Sequence, residues 1–529
     1  IWRGLAVYFD ATSRDEAGAA DRRAIAGQMH SELMDHMFKR EGWGADDATA
    51  SGRLLKLARE LVSMKFGGAL LTYTGIEGIA LQTNKALLTR WLVGKEITYS
   101  VNFSANKFYA QVRALLKGLG VEDRKNDQLI VDAVFEERGW ADAAATATAG
   151  ERLLLEARRR VALKFGGVLP QDTGIEGVAG GQDNRGPLAR WLARKDVVYS
   201  YTLSAKVLYT QVSALLKGLG VEDKKIDRLI IAAVFEERGW TDAAATAGER
   251  LLLAARRFVA LKFGGVLPQD TGIEGVASGQ DNRGPLARWL AGKEITYSIN
   301  LSAKYFYAQM RALLKGLGVK DKKIGRLIAA AVFEERGWAN AAATAGERLL
   351  LEARRRVALK FGGVLPANTG IDGVAQQSDR RPLTLWLTGK GIAYSSKLTE
   401  TILYAQVRAL LKGLGADDER IDQLIEAAVF EERGWTDAAA TAAEWLLLET
   451  RRRVALKFGG ALPNDAGIEG VSRQSRNKAA LTRWLSGKDV ELSENLRRQI
   501  RALLTHENHI TPAVADLLIS QAAAASRGR

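Results

Sequence analysis

The sequence predicts an all-α protein: a tandem array of four-helix modules of about 98 residues each, elongated or superhelical in the manner of an α-solenoid. Three observations predict it. The hexapeptide Phe-Glu-Glu-Arg-Gly-Trp stands at Phe135–Trp140, Phe235–Trp240, Phe333–Trp338 and Phe430–Trp435, and as Phe-Lys-Arg-Glu-Gly-Trp at Phe38–Trp43. The Trp-to-Trp steps are 97, 100, 98 and 97 residues. Between copies, apolar residues recur at helical spacing behind a repeated threonine–glutamate capping pattern. Glycine is plentiful at 53 residues and proline scarce at 8, a balance that suits helices ended by glycine caps.

The repeat divides the 529 residues into an incomplete leading unit (1–43), modules at 44–140, 141–240, 241–338 and 339–435, and a last module at 436–529 with a modified C-terminal cap. A module of that length can bury a core of its own, unlike the 20–45-residue units of ordinary solenoids. Hydrophobic residues at 47% and charged residues at 26% describe a globular chain. There is no cysteine, which removes disulfides, thiolate catalysis and cysteine-ligated zinc together. No apolar run reaches the length of a membrane span. The sequence opens on Ile1, and cytoplasmic and secreted settings both stay open. The net charge of +15 is expected to be spread evenly, since residues 141–240 hold 15 Lys/Arg against 12 Asp/Glu.

In chain order, Ala24–Arg40 has helical spacing and arrives at Gly42-Trp43. The second module reads most clearly. Thr148 and Glu151 form a capping box, repeated at Thr246/Glu249, Thr344/Glu347 and Thr441/Glu444, while in the first module Gly52 stands near the glutamate's place. A helix follows from Glu151 to Phe165, with Leu154, Ala157, Val161 and Phe165 inward, and Gly166-Gly167 ends it. Val168–Gly186 reads as a long loop containing Thr173-Gly-Ile-Glu-Gly177, which recurs at Thr74–Gly78, Thr271–Gly275, Thr369–Gly373 and, without its threonine, Gly467–Gly470. Pro187 suits a first helical position ahead of a short helix Leu188–Ala193 that carries Trp191. Asp196–Tyr199 reads as an extended segment or a connector. Ser204 then caps a helix with Leu208, Val212, Leu215 and Leu219 inward, and Asp223 begins a last helix with Ile226, Leu229, Ile230 and Ala233 inward. The final module departs from the pattern after Trp484 and closes with a helix at Ala513–Ala525.

The motifs carry little chemistry. The four histidines, His30, His36, His506 and His509, lie in the irregular end units, so no histidine device repeats with the modules and no metal site is expected. Adjacent acids such as Glu136-Glu137 point about 100° apart on a helix and read as solvated charge paired with the arginine rows. The Thr-Gly-Ile-Glu-Gly loop lacks the lysine of a phosphate loop and reads as a glycine turn. Trp91, Trp191, Trp289, Trp386 and Trp484 read as inter-helix packing. The hexapeptide itself reads as a helix ending in which Gly239 takes the left-handed position and Trp240 packs on Phe235.

The basic rows are the candidate partner-binding residues: Arg158, Arg159, Arg160 and Lys164; Arg256, Arg257 and Lys262, with Phe258 in the third place; Arg354, Arg355, Arg356 and Lys360; Arg451, Arg452, Arg453 and Lys457. Guanidinium groups in register suit phosphate or carboxylate partners, and the plain alternative is an ion-paired outer face. In unit length and in stretches such as Trp91-Leu-Val-Gly-Lys95 and Trp289-Leu-Ala-Gly-Lys293, the chain resembles the tandem all-helical modules of oomycete effector proteins; that resemblance implies an all-helical repeat fold. The expected role is a non-enzymatic scaffold or adaptor that binds an extended protein partner, without cofactor or catalytic residues and with no small-molecule substrate identified. A nucleic-acid-binding array that uses the arginine rows, and a secreted or translocated effector-type repeat protein, are the alternatives.

Overall fold

The computed structural model describes residues 19–44, 47–71, 82–99, 103–142, 148–169, 182–197, 204–267, 280–297, 302–367, 377–392, 399–462, 475–506 and 510–527. Among them there are twenty-one α-helices and no strand. After α1 (Ala19–Glu41) comes a series of four: α2 (Ala50–Phe66), α3 (Gln82–Leu92), α4 (Ala105–Gly118) and α5 (Asp123–Arg138). The series returns as α6 (Ala149–Phe165), α7 (Gln182–Leu192), α8 (Ala205–Gly218) and α9 (Asp223–Arg238), then as α10 (Ala247–Phe263), α11 (Gln280–Leu290), α12 (Ala303–Gly316) and α13 (Asp321–Arg336). It continues as α14 (Ala345–Phe361), α15 (Gln377–Leu387), α16 (Glu400–Gly413) and α17 (Asp418–Arg433), and closes as α18 (Ala442–Phe458), α19 (Ser475–Leu485), α20 (Glu494–Thr505) and α21 (Pro512–Arg527). The protein is an all-α array of repeated helices.

The chain forms two compact units, Ile1–Thr241 with Val259–Val266, and Asp242–Phe258 with Leu267–Arg529. In the first unit, α2 packs along α5 and α6 along α9, and α6 also lies against α4 and α5 of the preceding series. Leu54, Ala58 and Val62 of α2 meet Val112 and Leu115 of α4 and Ile130 and Val134 of α5 in one core, all of them almost wholly buried. Each of the Val, Leu and Ile side chains contributes about 1.5–3 kcal/mol by leaving water. The second unit repeats these pairings, α14 with α17 and α18 with α21, with α14 against α12 and α13 and α18 against α16 and α17.

The first helix of each series is fixed at both ends. At Thr148 the hydroxyl accepts from the Glu151 backbone N–H at 3.2 Å and the Glu151 carboxylate accepts from the Thr148 N–H at 3.0 Å. The same reciprocal bonds hold at Thr246, Thr344 and Thr441. Where Gly52 replaces the glutamate, Thr49 keeps only its own half. At the other end Gly166 has φ 57° and Gly167 φ 84°. A Cβ on Gly166 would stand 2.6 Å from the Ala105 carbonyl carbon, and one on Gly167 would stand 2.6 Å from Val134 Cγ1. The glycine pair therefore lets α6 end directly against α4 and α5.

Several expectations are corrected. α7 begins at Gln182, not Leu188, so Pro187 lies inside the helix as its sixth residue. Only one intrahelical donor is lost there, and full burial of Leu188 and Leu192 holds the short helix in place. Ser204 takes the N-cap backbone conformation without a side-chain cap bond; its carbonyl serves the first turn instead, accepting from Val207 at 2.9 Å and Leu208 at 3.2 Å. The last helix is longer than expected, Pro512–Arg527, with Ala515 and Ala522 fully buried. The Thr-Gly-Ile-Glu-Gly loops, Tyr199 and His509 lie outside the described residues.

Candidate functional site

The hexapeptide is built into the fold at every position. Gly239 takes φ 62°, and the Trp240 N–H reaches back to the Phe235 carbonyl at 2.8 Å. The Phe235 and Trp240 rings meet edge to face at 5.5 Å, as do their counterparts at Phe135/Trp140, Phe333/Trp338 and Phe430/Trp435. The two acids, expected to be solvated and paired with arginines, do something else. The first accepts from a first-turn backbone N–H of its own series' first helix: Glu136 from Ser51 at 2.7 Å, Glu236 from Gly150 at 2.7 Å, Glu334 from Gly248 at 2.5 Å and Glu431 from Gly346 at 2.8 Å. A carboxylate at a helix N-terminus neutralises donors that have no partner within the helix. The backbone N–H of Ser51 holds the Glu136 carboxyl below the ordinary carboxylate range.

The second acid accepts from a tyrosine hydroxyl of the third helix: Glu137 from Tyr109 at 2.8 Å, Glu237 from Tyr209 at 2.8 Å, Glu335 from Tyr307 at 2.7 Å and Glu432 from Tyr404 at 2.8 Å. Burial, and then the Glu137 charge, push the Tyr109 hydroxyl far above its usual value; the same causes act on Tyr307. Neither acid is placed as a general acid or base.

The arginine rows separate into three kinds of residue. The first arginine is buried at Arg158, Arg256 and Arg451, with Arg158 4% exposed, and half-buried at Arg354. Its Nε donates to the last carbonyl of the short helix: Arg158 to Leu192 at 2.9 Å, Arg256 to Leu290 at 2.8 Å, Arg354 to Leu387 at 2.8 Å and Arg451 to Leu485 at 2.9 Å. Its guanidinium lies over the hexapeptide tryptophan, Arg158 over Trp140 at 5.1 Å, Arg354 over Trp338 at 5.2 Å and Arg451 over Trp435 at 5.4 Å. Arg59 repeats the arrangement with Trp43 and the Leu92 carbonyl in the leading series. This is a structural clamp: the charge faces a helix C-terminus and the flat group fills the space over an indole. A Cβ on Gly94, Gly292, Gly389 or Gly487 would approach the clamp's Nη2 to 3.2–3.3 Å. The second series has Arg194 there, at φ 56°, paired with Glu151 at 2.6 Å. Burial, with Arg194 nearby, brings the Arg158 guanidinium down to about 10.

The second and third arginines are half-buried or, at Arg257 and Arg355, exposed, and most are paired. Arg159 meets Asp142 at 2.8 Å, Arg257 meets Asp242 at 2.7 Å and Arg452 meets Glu426 at 2.9 Å, whereas Arg355 has only the amide oxygen of Asn340 at 3.4 Å. Arg160, Arg356 and Arg453 each pair with the glutamate one turn earlier, Glu156, Glu352 and Glu449. Lys360 donates to the Gly413 carbonyl at 3.2 Å, and Lys164 and Lys262 are exposed. The rows are thus largely used inside the protein.

What remains open is a groove beside them. In the first unit Ala110, Ala114, Leu163 and Leu219 floor a cavity of ≈ 820 Å³ walled by Arg113, Lys117, Arg160 and Lys164, with Asp127 among them. In the second unit Ala308, Ala312, Leu359 and Leu414 floor one of ≈ 920 Å³ walled by Arg311, Lys315, Arg356 and Lys360. A third, ≈ 410 Å³, contains Ala405, Arg408, Asp422, Leu456, Arg453 and Lys457 at the equivalent places. Of the candidate residues the grooves gather Arg160, Lys164, Arg356, Lys360, Arg453 and Lys457, and leave the buried first arginines out. The sequence reading missed the third-helix contributions, Arg113, Lys117, Arg311 and Lys315, which a position-by-position comparison of repeats would have marked. That comparison also corrects the even spread of charge: residues 241–338 hold 15 Lys/Arg against 9 Asp/Glu, and residues 339–435 hold 13 against 12.

Among the described residues no group of three or more histidine or acidic side chains could hold a metal ion, and no helix is long and apolar enough to cross a membrane. No family model, curated protein or solved structure matches the chain.

Proposed function

We propose that the protein is a non-enzymatic scaffold whose repeated grooves hold an extended, acidic protein segment. The observation that carries the reading is the recurrence of one groove with the same residue types, an Ala-Ala-Leu-Leu floor between cationic walls, in both compact units. An extended chain that alternates apolar and acidic side chains matches floor and walls at once, and several weak contacts on one chain add through effective concentration. The hexapeptide acids and the first arginines are engaged within the fold, so these repeated groups are not free for a reaction. An array that binds nucleic acid through the arginine rows loses support for the same reason, since most arginines of those rows are buried or ion-paired.

The test is a fluorescence-anisotropy titration of a labelled peptide of alternating leucine and glutamate against the full chain. We expect saturable binding that weakens several-fold in Leu163→Gln and again in Leu163→Gln/Leu359→Gln. Failure of the peptide to bind, or equal binding by the variants, discards the reading.

A further inference from the structure

We propose that the groove walled by Arg311, Lys315, Lys322, Arg326, Arg355 and Lys360 binds a compact polyphosphate anion, a role that its counterparts in the other repeats do not share. Ion pairs formed in the other repeats are missing here. Arg113 pairs with Asp127 at 2.8 Å and Arg408 pairs with Asp422, but the residue facing Arg311 at that place is Gly325. Lys117, Lys217 and Lys412 reach Asp123, Asp223 and Asp418 at 3.4, 3.4 and 3.1 Å. Among the described residues Arg311, Lys315, Lys322 and Arg326 have no ion-pair or hydrogen-bond partner. Asn340 stands where Asp142 and Asp242 hold their arginines, and Lys320 stands where Glu122, Glu222 and Asp417 are.

The substitutions act together. Residues 303–340 hold 8 Lys/Arg against 3 Asp/Glu, while the equivalent 105–142 hold 6 against 7, 205–242 hold 6 against 6, and 400–437 hold 4 against 9. Loss of the Gly325 side chain also opens space. A second cavity of ≈ 740 Å³, lined by Lys322, Gly325, Arg326, Asn340 and Arg355 with Asp321 as the one acid, shares Arg311 and Leu359 with the ≈ 920 Å³ groove. So many like charges around one hollow repel each other, and a ligand with several negative charges relieves that cost. Guanidinium forks beside ammonium groups suit phosphate oxygens, which accept two bonds from one arginine.

The surroundings limit the ligand's length. Leu414 lines the groove, and the acids Asp417, Asp418, Glu419 and Asp422 follow it closely in the sequence, a neighbourhood that disfavours a long polyanion more than a compact one. The site does not rest on the peptide reading, because inorganic tripolyphosphate has no apolar group for the groove floor.

The experiment is isothermal titration of inorganic tripolyphosphate into the full chain at fixed ionic strength. Gly325→Asp/Asn340→Asp restores the acids of the other repeats, and a Cβ at Gly325 meets nothing closer than Leu359 Cδ2 at 3.7 Å, so the variant is expected to fold. Gly325→Ala is the uncharged control. We expect one saturable site, retained by Gly325→Ala and weakened at least tenfold in the double variant. Absence of saturation, many equal sites per chain, or equal loss in Gly325→Ala would overturn the proposal. So would a twenty-nucleotide single strand or a poly-glutamate peptide that binds more tightly than tripolyphosphate and with the same sensitivity to the double variant.

Discussion

The groove beside α4 and α6 and the groove beside α12 and α14 have the same floor and the same four basic positions in their walls, yet their electrostatics differ. In the first, Asp127 answers Arg113 and Asp142 answers Arg159. In the second, Gly325 and Asn340 stand in those places, and Arg311 is left without a partner among the described residues. Helices, caps and clamps are alike in both, so the difference lies in side-chain charge, with the two acids that answer the groove arginines at its centre, and not in the fold. A repeat scaffold can therefore alter one recess while its neighbours keep the architecture.

The largest expected effect tests the part of the comparison said to be common. Arg158→Ala and Arg354→Ala each remove a guanidinium from over a tryptophan and leave a helix-end carbonyl without its donor. Each is expected to destabilise its unit by about 2–4 kcal/mol, from the lost cation–π contact and charge-assisted hydrogen bond. Chemical denaturation followed by circular dichroism measures both. A cost confined to one of the two would show that the clamps are not equivalent and that the difference between the repeats reaches beyond the groove.

These clamps also show how much was legible in advance. Helix type, the capping boxes, the glycine endings and the Phe–Trp packing follow from local spacing, and local spacing is present in the sequence. The contacts of the acids were not legible. Glu236 and Gly150 are 86 residues apart, and nothing in either neighbourhood announces that one will meet the other. The arginine rows misled for a related reason: Arg158, Arg159 and Arg160 are consecutive, but successive residues point about 100° apart, so one is buried, one bridges to Asp142 and one pairs along its own helix. The open groove was visible only as an absence of acid at Gly325 and Asn340, which is informative once the partners at Asp127 and Asp142 are known.

The next effect is ligand-linked. If the second groove alone takes tripolyphosphate, the ligand should stabilise the wild-type chain by about 2.7 kcal/mol at a hundred times its dissociation constant. Differential scanning fluorimetry should then show a rise in midpoint that the Gly325→Asp/Asn340→Asp variant lacks. Asp127→Gly/Asp142→Asn, which copies the second groove's neutral residues into the first unit, should add a second, weaker increment. No increment from that graft would mean that Lys320, Lys322 and Arg326 matter more than the missing acids.

A smaller change is expected without ligand. Gly325→Asp replaces the poorest ordinary helix former and supplies Arg311 with a carboxylate, but the gain from the pair is offset. At the equivalent place burial raises the Asp127 carboxyl above its ordinary value despite Arg113 beside it, so dehydration of the acid outweighs the attraction. The expected stabilisation is therefore about 0.5 kcal/mol, mostly from helix propensity. A gain of about 2 kcal/mol in urea denaturation would mean that the missing ion pair is a real structural loss and would weaken the case that the opening serves a ligand.

The smallest effect concerns the acid at the start of α2. Its N-terminus has Thr49 and Glu136 but Gly52 where other series carry the capping-box glutamate, so among the described residues Glu136 is the acid placed on its first-turn donors. At α6 two acids, Glu151 and Glu236, share that work. The Glu136 carboxyl lies below its ordinary value of 4.5, which fixes the sign: its contribution is complete above about that pH and is lost as pH falls through the lower, folded-state value. The Glu151 carboxyl is also depressed, by the Thr148 backbone N–H first of all, so α6 should respond in the same direction but with a second acid in reserve. Glu136→Gln at pH 6 should therefore speed hydrogen exchange in the first turn of α2 by about threefold, the size of a solvated helix-terminal charge effect. Glu236→Gln should change α6 less. Equal acceleration at both helices would show that the hexapeptide acid stabilises each series independently of the capping box, and would remove the one difference that sets the first series apart from the second at this end.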